Sequence, residues 1–138
     1  MQQLKDVMST DVLVISPDAT LREAAARMRD EGFGMLPVGE NDRLIGAVTD
    51  RDIAVRAVAE GKSGETKVRD VMSKDMIWCY EDDTLEQGAD TMSQCQVRRL
   101  PVVSREKRLV GIVSLGDFAV AAEDITPTAE ALVGISRP

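Results

Sequence analysis

Hydrophobic positions in this chain fall into short apolar runs and spaced stripes, and their order predicts the elements. Val12-Leu13-Val14-Ile15 is an unbroken apolar run closed by Ser16-Pro17-Asp18, which predicts a short strand and a break. Leu21, Ala24, Ala25 and Met28 then recur at the spacing of one helix face, behind Thr20-x-x-Glu23, whose hydroxyl and carboxylate are suited to a capping box. Met35-Leu36-Pro37-Val38 and Leu44 to Val48 read as two strands joined by the polar turn Glu40 to Asp42, hence an antiparallel hairpin. Proline inside the first of these implies an edge position or a ladder-free nitrogen. A last helix runs from Asp50 to about Ala59.

The same series then returns. Met76-Ile77-Trp78-Cys79 repeats the first strand, with Glu81-Asp82-Asp83 as its break, and Thr84-x-x-Gln87 repeats the cap. Leu85, Ala89 and Met92 repeat the stripe, with Gly88 its weak point. Leu100-Pro101-Val102-Val103, the turn Ser104 to Lys107, Leu109 to Val113 and a helix from Leu115 to about Glu123 complete the copy. Identities support the repeat: Lys5-Asp6-Val7-Met8-Ser9 aligns with Arg69-Asp70-Val71-Met72-Ser73, and Leu36-Pro37-Val38 with Leu100-Pro101-Val102, at an offset of 64. The offset becomes 65 at Arg43-Leu44-x-Gly46 against Arg108-Leu109-x-Gly111. The fold class is therefore α+β, two β-α-β-β-α repeats related by pseudo-twofold symmetry. Residues 1–60 form the first repeat, 61–66 a linker, 67–124 the second repeat and 125–138 a tail, weakly helical from Ala129 to Val133.

Composition narrows the function. Aromatic residues are only 3% of the chain, so Val, Ile, Leu, Met and Ala must fill the cores; Met8 and Met72 are expected as core plugs. A net charge of −7 argues against general nucleic-acid binding. No apolar stretch approaches the roughly 20 residues that span a bilayer, and the first residues lack a signal peptide's apolar core, so a cytoplasmic location is expected. Histidine is absent, which removes the commonest general base and metal ligand. No metal site, required cofactor or catalytic residue is expected. Cys79 and Cys95 read as reduced, packed thiols. Trp78 alternates with Ile77 and Cys79 and should face away from them, against a helix, a subunit or a ligand.

Chemistry concentrates where each hairpin meets its last helix. Gly46-Ala47-Val48-Thr49-Asp50-Arg51-Asp52 and Gly111-Ile112-Val113-Ser114-Leu115-Gly116-Asp117 share Gly-apolar-apolar-Thr/Ser-x-x-Asp. Glycine permits close backbone approach, the hydroxyl sits at a helix N-cap, and the aspartate lies one turn in. Such a carboxylate suits the vicinal diol of a ribose. The same pattern is also a capping box, although aspartate reaches back less far than the usual glutamate or glutamine.

Asp-Val-Met near each start, Thr-Leu opening each first helix, Leu-Pro-Val, and the junction motif, each present twice in order, resemble a tandem pair of cystathionine-β-synthase (CBS) domains, the Bateman module, over about Asp6 to Glu123. The chain is similar to small bacterial proteins built of that pair alone. The resemblance implies two clefts for adenosine-containing ligands, each using the hydroxyl and aspartate of one repeat and an adenine wall from the other. One cleft would draw on Ala47, Thr49, Arg51 and Asp52 with Asp75, Ile77, Val97 and Arg98; the other on Ile112, Ser114, Gly116 and Asp117 with Asp11, Leu13, Phe33 and Gly34.

The resulting expectation is a regulatory module that senses AMP, ADP or ATP, with NAD and S-adenosylmethionine as further candidates, and acts on an unidentified protein. The rival is a scaffold of the same fold with unused clefts; an enzyme using Cys79 or Cys95 lacks a supporting constellation. The resemblance also implies a homodimer through faces such as Ile53-Ala54-Ala57-Val58 and Phe118-Ala119-Ala122. Arg51 with Arg98 or Arg99 makes the Thr49 cleft the expected better phosphate site, since Leu115, Gly116, Gly34 and Met35 are uncharged.

Overall fold

The structure, a computed structural model of the 138-residue chain, describes residues 2–32, 34–121 and 126–138. Two compact units result, and they do not follow the linear order of the repeats. Residues Leu13–Met76 form a continuous unit, whereas Met1–Val12 joins Ile77–Pro138 in a discontinuous one. The linear division 1–60, 61–66 and 67–124 thus describes the repeating sequence rather than the compact bodies.

The exchange has a packing cause. In the discontinuous unit the short helix α1 (Leu4–Val7) inserts Leu4, fully buried, into a core with Cys79, Leu85, Met92, Leu100, Val113 and Phe118. In the continuous unit the equivalent turn Val68–Asp70 inserts Val68 among Leu21, Met28, Leu36, Val48 and Val71. Each turn is carried on by an antiparallel bridge: Ser9 pairs with Ile112, and Ser73 with Ala47. These bridges cover sheet edges that would otherwise present unpaired amides.

The continuous unit contains α2 (Leu21–Glu31), β1 (Met35–Glu40), β2 (Arg43–Thr49) and a last helix made of α3 (Asp50–Asp52) running into a π-helical stretch, Ile53–Val58. The discontinuous unit contains β3 (Cys79–Tyr80), α4 (Leu85–Cys95), β4 (Arg99–Val103), β5 (Leu109–Ser114) and α5 (Leu115–Ala121). Its further helix α6 (Thr126–Ser136) packs on α4 and α5 and buries Ala131, which gives the tail a place. Both hairpins are antiparallel as expected. Asn41 and Asp42, at φ 55 and 62, form a two-residue turn between β1 and β2. The inserted residue of the second repeat lengthens its turn, which closes through Lys107 at φ 63.

The first strands are shorter than the apolar runs suggest, and proline explains where they stop. Val12 to Ile15 contracts to one parallel bridge, in which the Ile15 amide donates to the Pro37 carbonyl (3.0 Å) and the Gly39 amide to the Ile15 carbonyl (3.1 Å). The next rung upstream would need an N–H from Pro37, which has none. Pro101 imposes the same stop on β3, paired Cys79 with Val102 and Tyr80 with Val103. Downstream, the Glu81 amide donates to the Val103 carbonyl at 2.9 Å, whereas the first repeat has Pro17 at the equivalent position and its ladder ends.

Other expectations are corrected by packing. Ala25 of the α2 stripe is exposed, as is Cys95, while Cys79 is buried. Ala57 and Phe118, assigned to open helix faces, are buried in the cores, and Ala122 lies outside the described residues. Gly88 is not a weak point. A Cβ there would lie 2.9 Å from Leu4 Cδ2 and 3.1 Å from Phe118 Cζ, so glycine makes room for two buried side chains. Gly88→Ala is expected to destabilise by about 1–3 kcal/mol through overpacking, despite alanine's better helix propensity of about 1 kcal/mol. A rise in melting temperature would contradict this packing.

Candidate functional site

Strand β2 leads directly into α3, and Thr49, still extended at φ −117 and ψ 162, is the helix N-cap. Its Oγ1 accepts from the Asp52 amide at 3.0 Å, and Asp52 Oδ2 accepts from the Thr49 amide at 3.0 Å. At the end of β5, Ser114 Oγ accepts from the Asp117 amide at 3.1 Å and Asp117 Oδ2 from the Ser114 amide at 2.9 Å. Both pairs are half-buried. Aspartate therefore closes the box in both directions despite its length, as the Thr84–Gln87 pair does on α4. Each box engages one carboxylate oxygen, and the other is a chemically equivalent acceptor on a side chain held by the box.

The glycines before these junctions serve the protein's own backbone. A Cβ on Gly46 would lie 2.8 Å from the Ser73 carbonyl and 3.0 Å from Met72 Sδ. One on Gly111 would lie 3.0 Å from the Ser9 carbonyl and collide with Met8. The close approach read from the sequence is thus that of the turn preceding each repeat. Met72 is buried as expected of a core plug, and Met8 is half-buried.

The continuous unit holds Leu13, Gly34, Ala47, Thr49, Arg51, Asp52 and Asp75; the discontinuous unit holds Asp11, Ile77, Val97, Arg98, Ile112, Ser114, Gly116 and Asp117. Phe33 lies outside the described residues. The bridge from Ser73 to Ala47 carries Asp75 into the unit of Thr49 and Asp52, and that from Ser9 to Ile112 carries Asp11 into the unit of Ser114 and Asp117. Ile77 and Val97 are partly buried against the second core, while Arg51, Arg98 and Gly116 are exposed.

One residue escaped the sequence reading. The Asp50 amide donates to the Gly34 carbonyl at 2.9 Å, and the Asp50 carboxylate accepts from the Arg51 amide at 2.8 Å. No spacing rule singles out Asp50. A paired difference between the repeats does, since Gly34 and Asp50 stand where the second repeat has Arg98 and Leu115.

Trp78 packs edge-on to Tyr80, with ring centroids 4.9 Å apart. The hairpin turn supplies their cover: Arg105 lies 4.0 Å over the Tyr80 ring while bonding Asp82 through two nitrogens, and Lys107 lies 5.7 Å from the Trp78 centroid. The Arg105 hydrogen bonds hold the Asp82 carboxyl below its ordinary range. Burial pushes the Cys79 thiol up to about 11. The unfolded chain therefore ionises this thiol first, and the stability it contributes is lost as pH rises from about 9 towards 11. Iodoacetamide at pH 8 should alkylate Cys95 quickly and Cys79 only on unfolding, read by mass spectrometry; equal rates would contradict the burial. Among the described residues no group of three or more His, Cys, Asp or Glu could hold a metal ion, and no helix is long and apolar enough to cross a membrane.

Known proteins share this fold. The chain is 43% identical over 137 residues to the CBS domain-containing protein YhcV of Bacillus subtilis, covering 99% of this chain and 97% of that one. A crystal structure of Hypoxic Response Protein I with two coordinated zinc ions superposes with a TM-score of 0.80 at 34% identity, covering 87% of this chain and 98% of that one. The CBS domain pair of protein MJ0100, solved in complex with 5′-methylthioadenosine and S-adenosyl-L-methionine, gives a TM-score of 0.75 at 27% identity, over 86% of this chain and 94% of that one. The CBS domain model matches twice, at residues 4–58 and 68–124, each match holding one hairpin and one hydroxyl–carboxylate junction: the chain belongs to the CBS-domain family, as a tandem pair.

Proposed function

We propose that this protein is a regulatory module that binds an adenosine-containing small molecule and has no catalytic step. The observation that carries the reading is the repeated pair of a hydroxyl and a half-buried carboxylate, Thr49 with Asp52 and Ser114 with Asp117, each oriented by reciprocal bonds. A relative with the same fold was solved with two adenosine derivatives. A ribose diol donating to such a carboxylate forms charge-assisted bonds of about 1.5–3 kcal/mol. AMP, ADP and ATP are the first candidates, with NAD and S-adenosylmethionine beside them. The output is a population shift: a ligand at a hundred times its Kd stabilises the form that binds it by about 2.7 kcal/mol, available to change a partner's binding. Calorimetric titration with this panel tests the reading. At least one member should bind saturably, and a panel without heat or thermal shift at millimolar concentration contradicts it.

One observation favours a second reading, a scaffold that takes no ligand: capping alone accounts for the bonds that Asp52 and Asp117 accept from the Thr49 and Ser114 amides. Asparagine at both positions separates the two readings, because it keeps the cap and removes the charge.

We further propose a homodimer through the last helices. Val55 is 49% exposed, Val58 68% and Val120 89%, apolar surface that a second copy would remove from water. Sedimentation at micromolar concentration should give twice the 15.0 kDa chain mass, and a single-chain mass overturns the dimer.

A further inference from the structure

The two repeats place opposite chemistry on one backbone scaffold at the start of the helix that follows each hairpin. The Asp50 amide donates to the Gly34 carbonyl, and the Leu115 amide to the Arg98 carbonyl, each at 2.9 Å. One backbone tie thus fixes residue 50 against 34 and residue 115 against 98. A Cβ on Gly34 would lie 2.8 Å from Asp50 Cγ, so the Asp50 carboxylate fills the space a side chain at 34 would take. The Arg51 amide, donating to Asp50 Oδ1 at 2.8 Å, holds it there. In the second repeat the corresponding positions carry the apolar Leu115 and the exposed Arg98.

The charge balance follows. The Thr49 junction holds two carboxylates, Asp50 and Asp52, against one arginine, Arg51. The Ser114 junction itself holds the single carboxylate of Asp117, with Arg98, just ahead of β4, tied to it through the backbone, while Asp75 and Asp11 add one carboxylate to each unit alike. A ribose hydroxyl is indifferent to a second carboxylate nearby, but a phosphate dianion is repelled by it and attracted by arginine.

Resting on the adenosine reading above, we propose that Asp50 is a specificity-determining residue. It makes the Thr49–Asp52 junction selective for an adenosine derivative without phosphate, neutral or cationic, and leaves phosphate-bearing adenosine to the Ser114–Asp117 junction beside Arg98. The proposed ranking is the opposite of the one expected from the sequence: Asp50 offsets Arg51, and the backbone tie sets Arg98 beside Leu115 at the Ser114 junction.

The test compares adenosine with AMP by calorimetry. Asp50→Asn keeps the size and the acceptor for the Arg51 amide while removing the charge. With the other junction weakened by Asp117→Asn, it should tighten AMP about tenfold and leave adenosine within about twofold, the gain shrinking at high salt. The mirror variant, Leu115→Asp in an Asp52→Asn background, should weaken AMP about tenfold with adenosine unchanged. Adenosine binding with AMP unmoved by either charge change, or both ligands shifted alike, overturns the assignment alone. AMP binding to the unsubstituted protein without adenosine binding likewise overturns the assignment alone, whereas absence of binding by both overturns the adenosine reading itself, and this assignment with it.

Discussion

Leu4→Ala should lower the free energy of unfolding by about 2–5 kcal/mol, a large share of the roughly 5–15 kcal/mol that holds a typical domain together. Leu4 is near the chain start, where truncation is ordinarily tolerated. Here it is fully buried in the core of the second repeat, against the space left by Gly88, and its segment is tied down by backbone bonds. The Leu4 amide donates to the Asp83 carbonyl and the Lys5 amide to the Glu81 carbonyl, both at 2.9 Å. Deleting the side-chain atoms leaves a cavity beside Phe118 and Met92 that rigid neighbours cannot close. Lys5→Ala, at an exposed position of the same turn, should stay within about 0.5 kcal/mol. Val68→Ala should destabilise the continuous unit in the same manner, because Val68 is the equivalent plug there. Urea unfolding checks the set, and a Leu4→Ala midpoint matching that of Lys5→Ala would show that the first residues are not part of the second core.

The double variant Asp52→Asn/Asp117→Asn should lose adenosine affinity about ten- to a hundredfold at each junction while melting within a few degrees of the unsubstituted protein. The two roles of these aspartates separate at this substitution. Capping needs an oxygen that accepts from the Thr49 or Ser114 amide, and asparagine supplies one. Diol binding needs an anionic acceptor, and losing a charged hydrogen bond of about 1.5–3 kcal/mol at either junction weakens that site about ten- to a hundredfold. Asp52→Ala/Asp117→Ala should remove both roles, adding a loss of about 0.5–2 kcal/mol for each cap. Unchanged adenosine binding in the asparagine pair would leave both carboxylates as helix caps only.

Much of this was legible because the information is local. Thr20 and Thr84 announce α2 and α4, the apolar stripes give their buried faces, and the polar turns give both hairpins. Position along the chain is a poor guide to which core a segment joins, so the crossing of α1 to the second repeat left no periodic signal. The shortened first strands depended on a hydrogen bond that Pro37, Pro101 and Pro17 cannot make, a fact about partners rather than propensity. At the candidate site, the pairing of Thr49 with Asp52 and of Ser114 with Asp117 was readable from spacing, as was close backbone approach at Gly46 and Gly111, whereas the segments that approach these glycines were not, because they are distant in sequence. Asp50 became visible only through what it lies against.

The central claim is that the hydroxyl–carboxylate junctions bind adenosine. Native mass spectrometry of the protein titrated with adenosine tests it most directly, since each bound molecule adds a fixed mass to a folded chain. The account predicts saturable adducts, up to one per junction, that vanish in Asp52→Asn/Asp117→Asn. Folded protein without an adduct at millimolar adenosine, and none with AMP in its place, or adducts equally abundant in the double variant, would contradict it.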